Sequence, residues 1–169
     1  MDKKIRIAVD AMGGDGSPKK IIDGISDHNK KSKNIHYLIF GDKEIILKHI
    51  PKTLHNHCYE IIDTKDCVDG KDTPLEAAKR GKNTSMWLSI ESVKENKADI
   101  VISAGNTGAL LVISKLNLKM IENIDKPALS ALWPNKIGMS VVLDLGANIE
   151  CNAKNLVDFS IMGSALLKA

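Results

Sequence analysis

Arginine is scarce in this 169-residue chain: only Arg6 and Arg80 carry a guanidinium, although Lys and Arg together number 24 against 21 Asp and Glu. The resulting charge of +3 is small and spread along the whole sequence, without the basic face that nucleic-acid binding requires. Aromatic residues are as few, two each of Trp, Tyr and Phe, and too scattered to form a base-stacking platform. Cysteine occurs three times, at Cys58, Cys67 and Cys151. That odd number, in no metal-ligand spacing, predicts reduced thiols in the cytoplasm rather than a disulfide framework. His55 and His57 precede Cys58, but no second ligand pair stands at a suitable spacing, so no metal is expected there. Long apolar runs are missing as well. None approaches the roughly 20 residues of a membrane span, and Met1-Asp2-Lys3-Lys4 leads into Ile5–Val9, an apolar stretch too short for a signal-peptide core. What remains, 43% hydrophobic and 27% charged residues, fits a single soluble domain covering residues 1–169 that can close a core.

Short apolar runs alternate with segments of helical length and period, the pattern of β-α units around a mostly parallel sheet. Ile5–Val9 reads as a first strand ending at Asp10, followed by a glycine-rich turn and a helix from Lys19 to about His28. The basic stretch Asn29–Asn34 reads as its end. Ile35–Phe40 is the second strand, and Asp42 a helix N-cap before Ile45, Ile46 and Ile50. Cys58–Ile62 is a weaker third strand, with loop from Asp63 to Thr73. Pro74 fits the first turn of a helix, and a further helix runs from Thr84 to about Asn96 with Met86, Trp87, Ile90 and Val93 on one face. Asp99–Ser103 reads as a buried strand and Thr107–Leu118 as a covered helix. Ala128–Leu132 and Ser140–Leu143 are two strands around a turn at Pro134-Asn135-Lys136. The segment from Asn155 is helical by pattern and carries no stop signal before Ala169, as expected of a chain that ends inside a larger architecture.

In an open parallel sheet, ligands collect beyond the carboxyl ends of the strands, where helix N-termini present free amides. Those ends read Asp10–Pro18, Gly41-Asp42, Ser103–Gly108 and Asp144–Asn148. Three of the four combine small residues with Asp, Asn, Ser or Thr, a composition that lets backbone approach an anion closely. One such loop alone is ordinarily a tight β-α turn; three in register on one sheet edge point to an anionic or phosphorylated ligand. The Gly-Lys-Ser/Thr ending of an NTP loop and the Gly-x-Gly-x-x-Gly spacing of a dinucleotide site are both absent. Asp10 and Asp144 fit loop capping as well as ligand contact. Lys79, Arg80 and Lys82, before Thr84 and Ser85, read either as a solvated basic turn or as an anion holder.

The strings Asp10-Ala-Met-Gly-Gly-Asp15, Ser103-Ala-Gly-Asn-Thr-Gly-Ala109 and Leu143-Asp-Leu-Gly-Ala-Asn148, in this order and spacing, resemble the bacterial phosphate acyltransferases of phospholipid synthesis, the PlsX type. The resemblance extends over Lys79–Met86, Pro127–Leu129 and Phe159–Gly163. It implies an α/β/α sandwich of the phosphotransacylase kind, with two lobes and a cleft. It implies transfer of a fatty acyl group from acyl-acyl-carrier protein to inorganic phosphate, without metal or organic cofactor. It also implies a cytoplasmic homodimer, loosely membrane-associated, that hands acyl phosphate to a membrane glycerol-3-phosphate acyltransferase. Since phosphate is itself the nucleophile and the thioester is already activated, no Ser/His/Asp set is required.

On this resemblance the catalytic candidates are Ser103, Asn106, Asp144 and Asn148, with Asn106, Thr107 and Asn148 as donors to phosphate or acyl oxygen. Asp10, Gly13, Gly14, Asp15, Ser85, Gly105 and Gly108 shape the substrate site, and Lys79 and Lys82 supply counter-charge. Lys79 and Lys126 stand where the family often has arginine, and Asn83-Thr84 where Ser-Ser is usual. Family members are about twice as long, so the expectation is a half that stops before the second lobe. The alternative reading is a non-catalytic remnant, or a phosphate-binding half that needs a separately encoded partner.

Overall fold

The computed structural model describes residues 4–32 and 34–168. Met1–Lys3, Lys33 and Ala169, which the sequence reading draws into the lead-in to the first strand, the basic turn and the end of the last helix, lie outside the described residues. The chain divides into two compact units, residues 1–118 and 119–169, each taken by itself below.

The first unit is built on four strands, β1 (Ile5–Asp10), β2 (Ile35–Gly41), β3 (Tyr59–Asp63) and β4 (Ile100–Ser103), all parallel in the order β3-β2-β1-β4. Both neighbours meet the end of β1 in register, with Asp10 opposite Phe40 on β2 and Ser103 on β4. Alternate residues of β1 feed opposite faces. Ile7 and Val9 join α1 (Lys19–Lys31) and α2 (Lys43–His49) in a core completed by Ile22, Ile25, Tyr37, Ile39 and Ile46. Ala8, on the other side, packs with Leu38 and Phe40 beneath Leu88 and Val93 of α4 (Ser85–Lys94). Met86, Trp87 and Ile90 of α4 join Ala77 of α3 (Pro74–Lys79) and Ala109 and Ile113 of α5 (Thr107–Leu118). Helices on both faces of a parallel sheet are the expected α/β class.

The connections move from β1 outward to β2 and β3, then return to place β4 on the other side of β1. The strand order therefore reverses between β1 and β4, and ligands of open α/β sheets settle in the crevice at such a switch point.

Several local readings change. The first helix runs through to Lys31, with His28, Lys30 and Lys31 in its last turn, where positive charge suits the helix dipole. Cys58 lies in a short 3-10 turn, Asn56–Cys58, before β3. Asp99–Ser103 is not a buried strand: β4 is the sheet edge, and Ile100 and Ile102 are 50% and 49% exposed. Only alternate side chains meet α4, and the helix that follows β4 packs against α3 and α4. Correspondingly α5 is only partly covered, with Leu116 and Leu118 exposed.

In the second unit, β5 (Ser130–Asn135) and β6 (Gly138–Leu143) form an antiparallel two-stranded sheet, and α6 (Ala153–Lys168) packs against β6. The reversal falls on Lys136-Ile137, not on Pro134-Asn135-Lys136. Pro134 is paired with Met139 inside the hairpin, which a two-stranded sheet tolerates because each strand has a free edge. Ala128 and Leu129 precede β5. Because β6 pairs with β5 and not with the four-stranded sheet, the expectation of three glycine loops on one sheet edge is corrected to two.

Candidate functional site

Asp10 ends β1 with its side chain 1% exposed, and three donors from three segments converge on it. The Ser85 hydroxyl donates to Oδ1 at 2.7 Å, the Ser103 hydroxyl to Oδ2 at 2.8 Å and the Met12 amide to Oδ1 at 3.2 Å. Ser103 Oγ in turn accepts the Gly105 amide at 3.1 Å. One carboxylate thus ties the turn after β1, the N-terminus of α4 and the loop after β4. Thr84 caps α4 through the Trp87 amide, and the Ser85 amide reaches the Asp66 carbonyl at 2.9 Å, so the serine is held from its backbone as well.

The two glycine loops touch. A Cβ on Gly13 would lie 2.6 Å from Asp10 Oδ2 and 2.9 Å from the Gly105 backbone. One on Gly14, whose φ is +89°, would lie 2.5 Å from the Ala104 carbonyl oxygen. Only glycine permits this approach and this backbone conformation together. Gly108 meets Pro74 of α3 in the same way, fixing the start of α5.

Asn106 caps α5: its Oδ1 accepts the Ala109 amide at 3.0 Å, while Nδ2 donates to the carbonyls of Asp72 at 2.8 Å and Gly70 at 3.3 Å. Both ends of this amide are therefore engaged within the protein. The segment it grips, Asp69–Thr73, is braced further by Asp69 and Asp72, by an Arg80–Asp72 ion pair and by a capping box between Thr73 and Glu76. The segment is loop, as the sequence predicts, and it has a structural role. It is a wall: a cavity of about 610 Å³ is lined by Gly14, Asp15, Gly105 and Asn106 on one side and by Cys67, Asp69, Gly70 and Lys71 on the other. The signal in the sequence is the turn-forming cluster Asp69-Gly70-Lys71-Asp72.

Burial, with the charges of Asp10, Asp69 and Asp66, pushes the Cys67 thiol above its ordinary value, so it stays protonated and weakly nucleophilic at neutral pH. The amides of Thr107 and Gly108 open α5 and have no acceptor within the helix, but neither residue lines the cavity, whose wall here is Gly105 and Asn106. Lys79 and Lys82 are exposed and absent from the cavity wall; Lys71 is the lysine that lines it.

Asp144 and Asn148 belong to the second unit and form a turn of their own. The Asn148 side-chain amide donates to Asp144 Oδ1 and to the Pro127 carbonyl, both at 2.8 Å, and its backbone amide reaches the same carboxylate at 3.1 Å. Asp144 has φ +57°, and its carboxylate, after burial itself, raises the Cys151 thiol.

Fold and site together define an α/β protein with a polar cavity at the switch point of a parallel sheet. The chain matches the model of the family described as "Fatty acid synthesis protein" over residues 5–169, and it belongs to that family. It is 75% identical over its full length to a phosphate acyltransferase of Pelagibacter ubique (strain HTCC1062), of which it covers 50%. It is 44% identical to one of Rhodospirillum rubrum across 99% of this chain and 48% of that protein. With one of Bradyrhizobium diazoefficiens the identity is 42%, across 98% of this chain and 48% of the relative. The chain thus spans about half the length of the curated relatives it matches. Among the described residues no helix is long and apolar enough to cross a membrane.

Proposed function

We propose that this chain serves the formation of acyl phosphate from fatty acyl-acyl-carrier protein and inorganic phosphate in phospholipid biosynthesis. The observation that carries the reading is the convergence on Asp10 of the glycine turn after β1 and the Ser103–Gly108 loop, in a chain whose relatives are phosphate acyltransferases. Hydrogen phosphate occupies the cavity, held by the Gly14-Asp15 turn and the Gly105-Asn106 loop that line it, with the first amides of α5 and the Thr107 hydroxyl following directly on Asn106. Lys71 gives local counter-charge, while exposed Lys79 and Lys82 attract the dianion at longer range. A phosphate oxygen attacks the thioester carbonyl carbon, charge develops on the carbonyl oxygen and the C–S bond breaks. The phosphate proton ends on the carrier protein's thiol. Asp10, Ser85, Ser103, Gly105, Gly108 and Asn106 position the donors; Asp144 and Asn148 hold the turn of the second unit. We place the reaction in the cytoplasm, in a homodimer at the membrane surface that passes its product to a membrane glycerol-3-phosphate acyltransferase.

The test is phosphate-dependent release of free carrier-protein thiol, with acyl phosphate formed in equal amount, by the purified chain. Phosphate binding without thiol release would instead favour a phosphate-binding half without turnover, a reading supported by the twofold greater length of the relatives. Absence of both phosphate binding and thiol release would refute the assignment.

A further inference from the structure

A second cleft adjoins the anion cavity. It runs between α1 and the open face of β4, encloses about 290 Å³, and is lined chiefly by Ile7, Val9, Ile21, Ile25 and Ile102. Ala104 lines both this cleft and the anion cavity, and Asp10 forms its inner end. Lys20 stands at the same end, its side chain packed against Gly16 of the glycine turn. The far end is closed by His28 and Tyr37, joined Nδ1 to hydroxyl at 2.8 Å. From Lys20 to His28 the helix rises about 12 Å, so the cleft is long as well as apolar.

Gly24 supplies an independent observation. It sits inside α1 and lines the cleft, yet a Cβ there would meet nothing within 4 Å. Glycine within a helix is less stable than alanine by roughly 1 kcal/mol in ordinary cases, and no neighbour, turn or positive φ requires it here. At Gly24 the cleft wall carries no side chain, and there is room beside it for one larger than a methyl group.

We propose that this cleft holds the hydrocarbon chain of the acyl group while the neighbouring cavity holds phosphate. The inference rests on the acyl-phosphate reading above and names where its apolar portion lies. An acyl phosphate joins a compact dianion to a linear apolar tail; the two neighbouring spaces, one polar and one lined by isoleucine and valine and both bordered by Ala104, match those parts in the order required. A second polypeptide segment or a second copy of the chain would need the apolar lining but not its place beside the anion cavity, across Ala104.

Calorimetric titration of the 169-residue chain with inorganic phosphate and with palmitoyl phosphonate, a hydrolysis-resistant acyl phosphate mimic, tests this. Each pair of methylenes buried is worth about tenfold in affinity, so the phosphonate is expected to bind at least about tenfold more tightly than phosphate. Gly24→Leu, which fills the cleft with a stronger helix former, should abolish that gain and change phosphate affinity by less than about twofold. Ile102→Ser, at a half-exposed position, should lessen the gain without disturbing the core. A phosphonate no tighter than phosphate overturns the acyl cleft and leaves the anion site standing; binding of neither overturns both. A gain that survives Gly24→Leu, or a variant that loses both ligands equally with its melting temperature unchanged, also overturns it. So does a Gly24→Leu chain whose only change is loss of self-association, which would assign the cleft to a second copy.

Discussion

Replacing Asp10 by alanine removes three hydrogen bonds at once, from the Ser85 and Ser103 hydroxyls and the Met12 amide. A hydrogen bond to a charged acceptor contributes roughly 1.5–3 kcal/mol, and a buried donor left without a partner costs a similar amount. The two hydroxyls can rotate toward nearby carbonyls, so the cost is expected at about 3–5 kcal/mol rather than at the sum of three bonds. That is a large part of the roughly 5–15 kcal/mol that stabilises an ordinary domain. Asp10→Asn separates the roles. Its carbonyl oxygen can still accept from Ser85 and Met12, and Ser103 Oγ can accept from the new amide, so about 1–2 kcal/mol is expected. Urea unfolding followed by circular dichroism gives both values from the shift in midpoint at constant slope. Phosphate affinity should fall in Asp10→Ala, where the loop after β4 loses its anchor, and less in Asp10→Asn, where the contact to Ser103 is kept. If Asp10→Ala unfolded within about 0.5 kcal/mol of the parent, the idea that this carboxylate organises the cradle would be wrong.

Asn106→Ala should destabilise by about 1–2 kcal/mol through loss of the α5 cap and should raise hydrogen exchange across residues 69–73 first; uniform exchange across α1 and α5 would contradict the clamp. Gly13→Ala should cost at least about 1–3 kcal/mol from overpacking and weaken phosphate binding, checked by thermal melting and calorimetry. With its thiol raised, Cys67 should react slowly with iodoacetamide near neutral pH and faster as the solution becomes alkaline; saturating phosphate should slow Cys67 but not Cys151, read by peptide mass spectrometry. Glu76 is held below the ordinary carboxylate range by its bonds to Thr73. Its capping box therefore adds stability above the usual value and loses it as pH falls through the depressed one, a dependence Glu76→Gln should flatten in acid titrations.

The two glycine turns are legible in the sequence because their demands are local: small residues, an aspartate or serine at the strand end, then a helix. The Asp69–Thr73 wall is not legible, since what fixes it is Asn106, 34 and 36 residues away from the carbonyls it grips. Nor does periodicity tell an edge strand from a central one when both are apolar, which is why the exposure of Ile100 and Ile102 emerges only from the strand order. The strings around Ser103 and Asp144 look alike because both shape a turn after a strand, although β4 belongs to the parallel sheet and β6 to a hairpin.

The hydrogen bonds of the site run opposite to what a list of polar residues suggests. Ser103 gives its proton to Asp10 and accepts from Gly105, and Asn106 uses its carbonyl on its own helix and its NH2 on the facing wall. These side chains stabilise backbone geometry before any ligand arrives, and in the proposed reaction a dianion would be met by amides whose orientation needs little reorganisation. Substitutions at Ser103 or Asn106 should therefore alter affinity and loop rigidity together. A loss of affinity at Ser103 with hydrogen exchange of the loop unchanged would instead mark that hydroxyl as a direct donor to the ligand.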